Sequence, residues 1–462
     1  MTFIVTSDYE LQRVAPPALP TASNEYSKLY QDQLNNALRL YFNRLTGVLG
    51  QLMASSDLFP VPLPVSIGGT NVDAFGRLRV SQPYTLFDSQ NRYAKDAQFS
   101  ESLTSGGSAT YLPNEATVRL GVTTSSTSKA VRQSFRVFPY QPGKGLLVMA
   151  TFVMADAQEN LRQRVGYFNT GNGVFFQKTN ATNAFVLRTS TSGSPSDVRT
   201  VNQADWNGDK LDGTGASGFT LNTSKAQILW MDFEWLGVGS VRCGFIINGQ
   251  YIVCHTFNNA NDQDKVYMTT AILPVRYELE NIGTVFSSSN LRQICSSVIS
   301  EGGYEQTSVD HVARRTTVLG TIGGTFLPLV SIRLASTALG AVVLPNRVQV
   351  LPTTSQNYEV ALIKNPTLTG ASWAAVSTDA NVEFDVAATA TTGGSIVQTD
   401  YVTASGSSGI SNTSLPNAYN FDLQLGVSIA GTSDIYTVAI RTVSGATTGD
   451  AVGSLSFYDL TI

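Results

Sequence analysis

Between Gln227 and Phe257 apolar and polar positions alternate along the stretch QILWMDFEWLGVGSVRCGFIINGQYIVCHTF. Side chains on a strand point alternately to its two faces. Ile228, Trp230, Asp232, Glu234 and Leu236 therefore share one face, and Leu229, Met231, Phe233 and Trp235 the other. Gly237 and Gly239 mark a first turn, and Asn248-Gly249 a second, a two-residue hairpin. The pattern predicts three antiparallel strands at the middle of a sandwich sheet.

The same reading places strands over 117–122, 130–138, 145–153, 173–179, 184–189, 266–272, 275–280 and 291–299. The polar stretch 190–222 is expected as an elaborated loop. Beyond Gly303 a second run covers 325–334, 347–351, 358–364, 395–401, 420–430, 435–443 and 452–460. In the fifth of these, Phe421, Leu423, Leu425, Val427 and Ile429 alternate and predict a strand with one buried face. Many short strands with turn punctuation mean a sandwich or barrel. The expected class is mainly β, with a first β-domain over 65–310 and a C-terminal β-sandwich over 311–462.

The N-terminal part reads differently. Residues 1–23 hold Pro16, Pro17 and Pro20 and show no periodicity, which predicts an extended attachment arm. Residues 24–55 predict one amphipathic helix, with Ser23 as its cap and Glu25 in its first turn. Leu34, Leu38, Tyr41, Leu45, Val48 and Leu52 form an apolar seam of coiled-coil spacing, widened by Leu29, Ala37 and Leu40. Two readings stay open: a short coiled coil that sets an oligomer, or a helix lying on a β-domain. Gly47 and Gly50 each cost about 1 kcal/mol relative to Ala. Pro60, Pro62 and Pro64 make 56–64 a stiff linker.

Composition narrows the function classes. Only 14% of residues are charged and 42% are hydrophobic, which suits a β-rich fold and argues against disorder. The net charge of −4 with no Lys/Arg cluster argues against nucleic acid. The longest apolar run, 145–155, is too short to span a bilayer, and the N-terminus has no signal-peptide pattern. Cys243, Cys254 and Cys295 read as small buried hydrophobes; a disulfide between the first two is open but unforced.

Several groups are candidates for chemistry. Asp232 and Glu234, two apart on one strand, put their carboxylates roughly 7 Å apart, a spacing used in glycoside hydrolysis. A laminarinase-type array wants further acids where Trp230 and Gly237 stand, so a non-catalytic polar face is expected. His255 and His311 are the only histidines and make no zinc pattern. Asp209 and Asp212 lie in NGDKLDGTG, which reads as turn chemistry rather than a calcium loop. Trp206 and Tyr304 are sugar-stacking, core or subunit-interface residues. No catalytic, metal or cofactor residue is assigned.

Five stretches together resemble a family of virion structural proteins of tailed bacteriophages, abundant in marine and cyanobacterial viruses. They are VDAFGRLRVSQPYTLFD at 72–88, DKLDGTG at 209–215, QILWMDFEWLGVGSVRCGFIINGQ at 227–250, NLRQICSSVISEGGY at 290–304 and NPTLTGASW at 365–373. The middle portion also resembles concanavalin A-like jelly rolls. The resemblance implies a jelly-roll domain over 65–310 and a place in the virion, and no reaction. Relatives often carry an acidic residue and a further His after a Cys-His pair; here Cys254-His255 is followed by Thr256-Phe257-Asn258-Asn259. The expectation is an oligomeric tail or head fibre, a trimer assembled with the help of the N-terminal helix, that contributes to host attachment. It would join other virion proteins through residues 1–60, with a host-surface glycan as a candidate partner, and would be assembled in the bacterial cytoplasm. The alternatives are a capsid decoration or tail-structural protein without a receptor role and, third, a glycan-degrading enzyme.

Overall fold

The computed structural model describes residues 17–21, 27–54, 82–305, 307–403, 411–414, 421–445 and 448–461. The expected linker over 56–64, and the expected arm apart from 17–21, lie outside these residues. The chain divides into two units, Met1–Ile67 and Gly68–Ile462.

Among its described residues the first unit holds one helix, α1 (Lys28–Ala54), about 40 Å long at 1.5 Å per residue. The Tyr30 amide donates to Ser27 Oγ at 3.3 Å, so Ser27 caps the helix at its start. Ser23, the expected cap, lies outside the described residues. Leu34, Ala37, Leu38, Tyr41 and Leu45 form a half-buried line along α1, while Leu29, Leu40 and Phe42 are exposed. The side chains of Val48 and Leu52 are outside the described set.

The second unit contains two β-sandwiches, with strands numbered here in chain order. Sheet I runs Gln250–Phe257 (β13), Val241–Ile247 (β12), Gln227–Phe233 (β11), Gly145–Val153 (β6), Ser289–Glu301 (β15), Thr117–Val122 (β4) and Ser108–Leu112 (β3). Tyr84–Gln90 (β1) also pairs with β15. Sheet II runs Ser196–Asn202 (β10), Thr182–Thr189 (β9), Gly173–Thr179 (β8), Leu161–Phe168 (β7), Val275–Asn281 (β14), Lys129–Ser134 (β5) and Phe99–Thr104 (β2). The chain crosses repeatedly from one sheet to the other, as in a jelly roll. Inner faces meet in an aromatic core: Phe176 of β8 sets its edge on Phe245 of β12 at 5.2 Å, and Tyr167 of β7 lies 5.4 Å from Phe233 of β11.

Sheet III of the second sandwich orders Val309–Ile322 (β16), Gly449–Asp459 (β27), Val343–Pro352 (β18) and Ser411–Ser414 (β25). Sheet IV orders Ala374–Ala375 (β21), Val382–Asp385 (β22), Leu327–Leu334 (β17), Ile435–Thr442 (β26), Asn357–Lys364 (β19) and Ser395–Thr403 (β24). Thr367–Thr369 (β20) pairs separately with Ala390–Thr392 (β23). Val348, Val350, Leu455 and Phe457 from sheet III pack with Ile332, Val360, Val438 and Ile440 from sheet IV.

The Asn248-Gly249 hairpin forms as its sequence dictates, with φ of 52° and 77° joining β12 to β13. Its setting differs from expectation. β13 is an edge strand and the centre of the sheet falls at β6 and β15, because β11 pairs onward with β6. The expected strand over 266–272 is irregular: Tyr267 and Met268 are buried in the core, while the Tyr267 amide bonds singly to Gly237 O at 2.8 Å. The stretch 190–222 is not all loop, since β10 within it pairs with β9.

The most instructive departure is 420–430, whose described part is not a strand but a short 3-10 turn, Phe421–Leu423, an irregular run with one bridge from Val427 to Ser433, and a turn at 429–430. Its polar groups are shared between the two sandwiches. Leu425 N–H donates to Val343 O at 3.0 Å in the second, and Val427 N–H to Phe135 O at 2.8 Å in the first. Gln424, wholly buried, donates from Nε2 to Val137 O at 2.9 Å, and Ile429 N–H to Ser100 Oγ at 3.2 Å. An alternating pattern satisfied from two sides needs no ladder. The core of the first sandwich extends across this seam to Val342, Leu344 and Phe421.

Candidate functional site

The carboxylates of the β11 stretch do not face solvent. Asp232 is fully buried and stands opposite Arg242 on β12, whose Nε donates to Asp232 Oδ2 at 3.0 Å. Trp230, on the same face, is also fully buried and packs edge-on to Tyr251 at 5.5 Å. Glu234 lies just past β11 and folds its carboxylate over the turn: Ser240 N–H donates to Glu234 Oε1 at 3.2 Å, and Tyr267 O–H to Glu234 O at 2.9 Å. Both acids thus have structural work inside the fold, and a polysaccharide cannot reach Asp232. The expected polar face, turned to solvent or to a neighbouring subunit, is corrected here: long neighbours within the chain cover it.

His255 sits on the edge strand β13 and is nearly buried. Its Nδ1 accepts the Asn207 N–H at 3.3 Å, and its ring meets Phe257 at 4.5 Å. Burial, and then the Arg199 charge, lower its pKa to about 4. Arg199 lies over the Phe257 ring at 5.3 Å and donates to Asn259 Oδ1, whose residue is fully buried. His311 is far along the chain on β16, stacked on Phe457 at 5.7 Å. The two histidines carry separate packing roles.

The Gly-rich loop is tied by its own acids. Asp209 accepts Leu211 N–H at 2.9 Å and Ser217 N–H at 2.7 Å, and Asp212 accepts Thr214 N–H at 2.9 Å. This is turn chemistry. Among the described residues no group of three His, Cys, Asp or Glu side chains is placed to hold a metal ion. Trp206 is core, 4.7 Å from Phe185, and Tyr304 packs on Phe421 at 5.1 Å. Cys243 and Cys254 are buried free thiols, whereas Cys295, expected to be buried, is exposed on β15. No described helix is long and apolar enough to cross a membrane.

Two features escaped the sequence reading. The first is an ionic array on the outer face of sheet II. Glu278 of β14, almost wholly buried, accepts from Lys129 at 3.1 Å, Arg164 at 3.2 Å and Arg276 Nε at 2.9 Å. Arg188 grips Asp197 with two bonds of 2.7 and 2.8 Å. Beneath the guanidinium groups lie Phe168 and Phe175, 4.4 Å apart, with Arg276 over the first and Arg188 over the second. The available signal was charge at every second position in Arg162/Arg164 and Arg276/Glu278/Glu280.

The second is a groove of about 460 Å³ where the loops after β6 and β14 meet the start of β15. Its lining includes Asp156, Ser224, Phe286, Ser288, Asn290 and Arg292. The loops are held rigidly. Buried Gln158 donates to Ser287 O at 3.0 Å and accepts Ser287 N–H at 3.0 Å. Gln163 brackets Ala155 through its N–H and its carbonyl, at 2.8 and 3.1 Å, and Lys178 donates to Ala155 O at 3.0 Å. Against this fixed rim the Phe286 ring is 84% exposed.

Compared with protein-family models and with curated proteins, the sequence matches none. Among solved structures it is similar to a β-glucanase of Bacillus licheniformis, at 12% identity and a TM-score of 0.31 over 46% of this chain and 96% of that one. It is similar to arcelin-5, a lectin-like defence protein from Phaseolus vulgaris, at 10% identity and a TM-score of 0.29 over 48% and 99%. A third, from work on endo-acting O-glycanases of the human gut microbiota, stands at 11% identity and a TM-score of 0.33 over 47% and 99%. The mainly β, jelly-roll architecture of this chain rests on its own strand pairing.

Proposed function

We propose that the chain is a structural protein of a tailed-phage virion, an oligomeric tail or head fibre that contributes to host attachment. The sequence resemblance over 72–373 supports the virion setting. The observation that carries the oligomeric reading is α1, with its line of Leu34, Leu38, Tyr41 and Leu45 and exposed Leu40 and Phe42 on a helix of 27 residues. Such a stripe gains free energy when other copies cover it, by roughly 25 cal/mol per Å² of apolar surface removed from water. Residues 1–60 serve as the anchor and the β-sandwiches as the presented part. The burial of Asp232 favours a non-catalytic role for the β11 acids.

Light scattering on the full-length chain tests the assembly: a trimer mass is expected, and a monomer in the Leu38→Asp/Leu45→Asp variant. A wild-type monomer at micromolar concentration overturns it. Antibody labelling of purified particles tests the setting, and unlabelled particles overturn it. A chain starting at Val65 should fail to join particles; its incorporation at normal copy number moves the anchor into a β-domain and favours the decoration-protein reading.

A further inference from the structure

We propose that the groove beside Phe286 is a binding site for a short, neutral oligosaccharide. Its volume, about 460 Å³, falls within the roughly 300–1,000 Å³ usual for small-ligand sites. The lining selects the ligand class. Serine hydroxyls, the Asn290 amide and the Asp156 carboxylate, which accepts the Ser224 O–H, supply the donors and acceptors that a polyhydroxylated ring can use. The lining also holds an aromatic residue, Phe286, which is 84% exposed, and the C–H face of a pyranose is the natural partner for such a ring.

Other ligand classes fit less well. An anion would meet Asp156, and the one guanidinium in the lining, Arg292, is already 3.3 Å from Glu115. A greasy ligand would strand the hydroxyls and amides without partners, which opposes its binding.

The rim is also preorganised. Gln158, Gln163 and Lys178 fix the two main loops through bonds to backbone atoms, and Asn160 Nδ2 adds a bond to Thr284 O at 2.9 Å. Ligand binding therefore has little loop ordering to offset. A single exposed aromatic is ordinary on a protein surface. An exposed aromatic on a pinned loop, in the lining of a polar groove, is a platform. The assignment gives a chemical class to the attachment role proposed above and rests on that reading only for its biological setting. A failed sugar titration leaves particle incorporation untouched, and failed incorporation leaves the titration untouched.

The experiment is saturation-transfer NMR on the full-length chain with laminaritriose, maltotriose, mannotriose and chitotriose. At least one is expected to receive saturation at its ring C–H protons. Phe286→Ala should weaken that binding at least tenfold with an unchanged melting temperature, since the side chain lies outside the core. Phe286→Trp, which keeps and enlarges the platform, should retain it, and Asp156→Ala should weaken it. No transfer to any of the four sugars overturns the proposal. So does transfer that Phe286→Ala leaves unchanged.

Discussion

Asp232 and Arg242 face each other across the β11–β12 ladder, and the carboxylate of this pair is fully buried while the guanidinium side chain is 13% exposed. The partner that neutralises Asp232 sits ten residues away, beyond one turn. Removing one member of a buried pair leaves the other charge uncompensated, which costs about 3–5 kcal/mol. Asp232→Asn should therefore lower stability by that order in a urea titration. Should the protein cleave any polysaccharide, Glu234→Gln is expected to leave that cleavage intact; its abolition would make β11 a catalytic strand.

Glu278 predicts an acid-sensitive sheet. Burial pushes its carboxyl up, but Arg276, Lys129 and Arg164 together outweigh burial and hold it well below the usual carboxylate range. A depressed folded pKa contributes stability that is present above the unfolded value of about 4.3 and lost as pH falls toward the folded one. Glu278→Gln should cost about 3 kcal/mol at pH 7. The gap from wild type should shrink below pH 4. A gap that holds constant with pH would remove the charge network from the account.

His255 makes the fold acid-sensitive as well, over a higher pH window. Its folded pKa of about 4 lies under the unfolded value of about 6.5, so the folded protein excludes a proton that the unfolded chain binds. Stability attributable to His255 should be full above pH 6.5 and fall as pH drops from 6.5 to 4. His255→Gln, which keeps an acceptor for the Asn207 amide, should flatten this limb. With two histidines in the chain, ring C–H NMR resonances resolve the titration directly. A His255 midpoint near 6.5 would contradict the buried setting.

Gly244 predicts a steric limit on β12. A Cβ there would lie 1.8 Å from Ile252 O and 3.0 Å from Trp230 Nε1. Gly244→Ala should destabilise by about 1–3 kcal/mol through forced backbone shifts. A neutral substitution in thermal unfolding would mean that the Trp230 face can relax.

Local features were legible in the sequence. The Asn248-Gly249 turn and the alternation of β11 need only their own residues, and both appear where the pattern placed them. What failed depends on distant partners. Phe421 to Ile429 alternates like a strand, but its bonding groups are met by Ser100, Phe135 and Val137 on one side and Val343 on the other. Asp232 read as part of a polar face open to solvent or to a neighbouring subunit, because nothing in a period-two pattern reveals that an outer face is covered by the chain itself. The groove draws its lining from residues 153–158, 224, 286–290 and 292, a set with no shared spacing to detect. Phe286 sits among serines and reads as loop until its ring is seen standing clear.

The 421–434 seam has a mechanical consequence. Its bonds reach Ser100, Phe135 and Val137 at separate points, and Arg136 adds a 3.4 Å contact to Asp422. A torque on the C-terminal sandwich is thus spread over several anchorages at once, and no single one carries the full load. The pair behaves as a braced beam rather than as two beads on a string, so a tug at one end arrives at the other with little lost to hinge rotation.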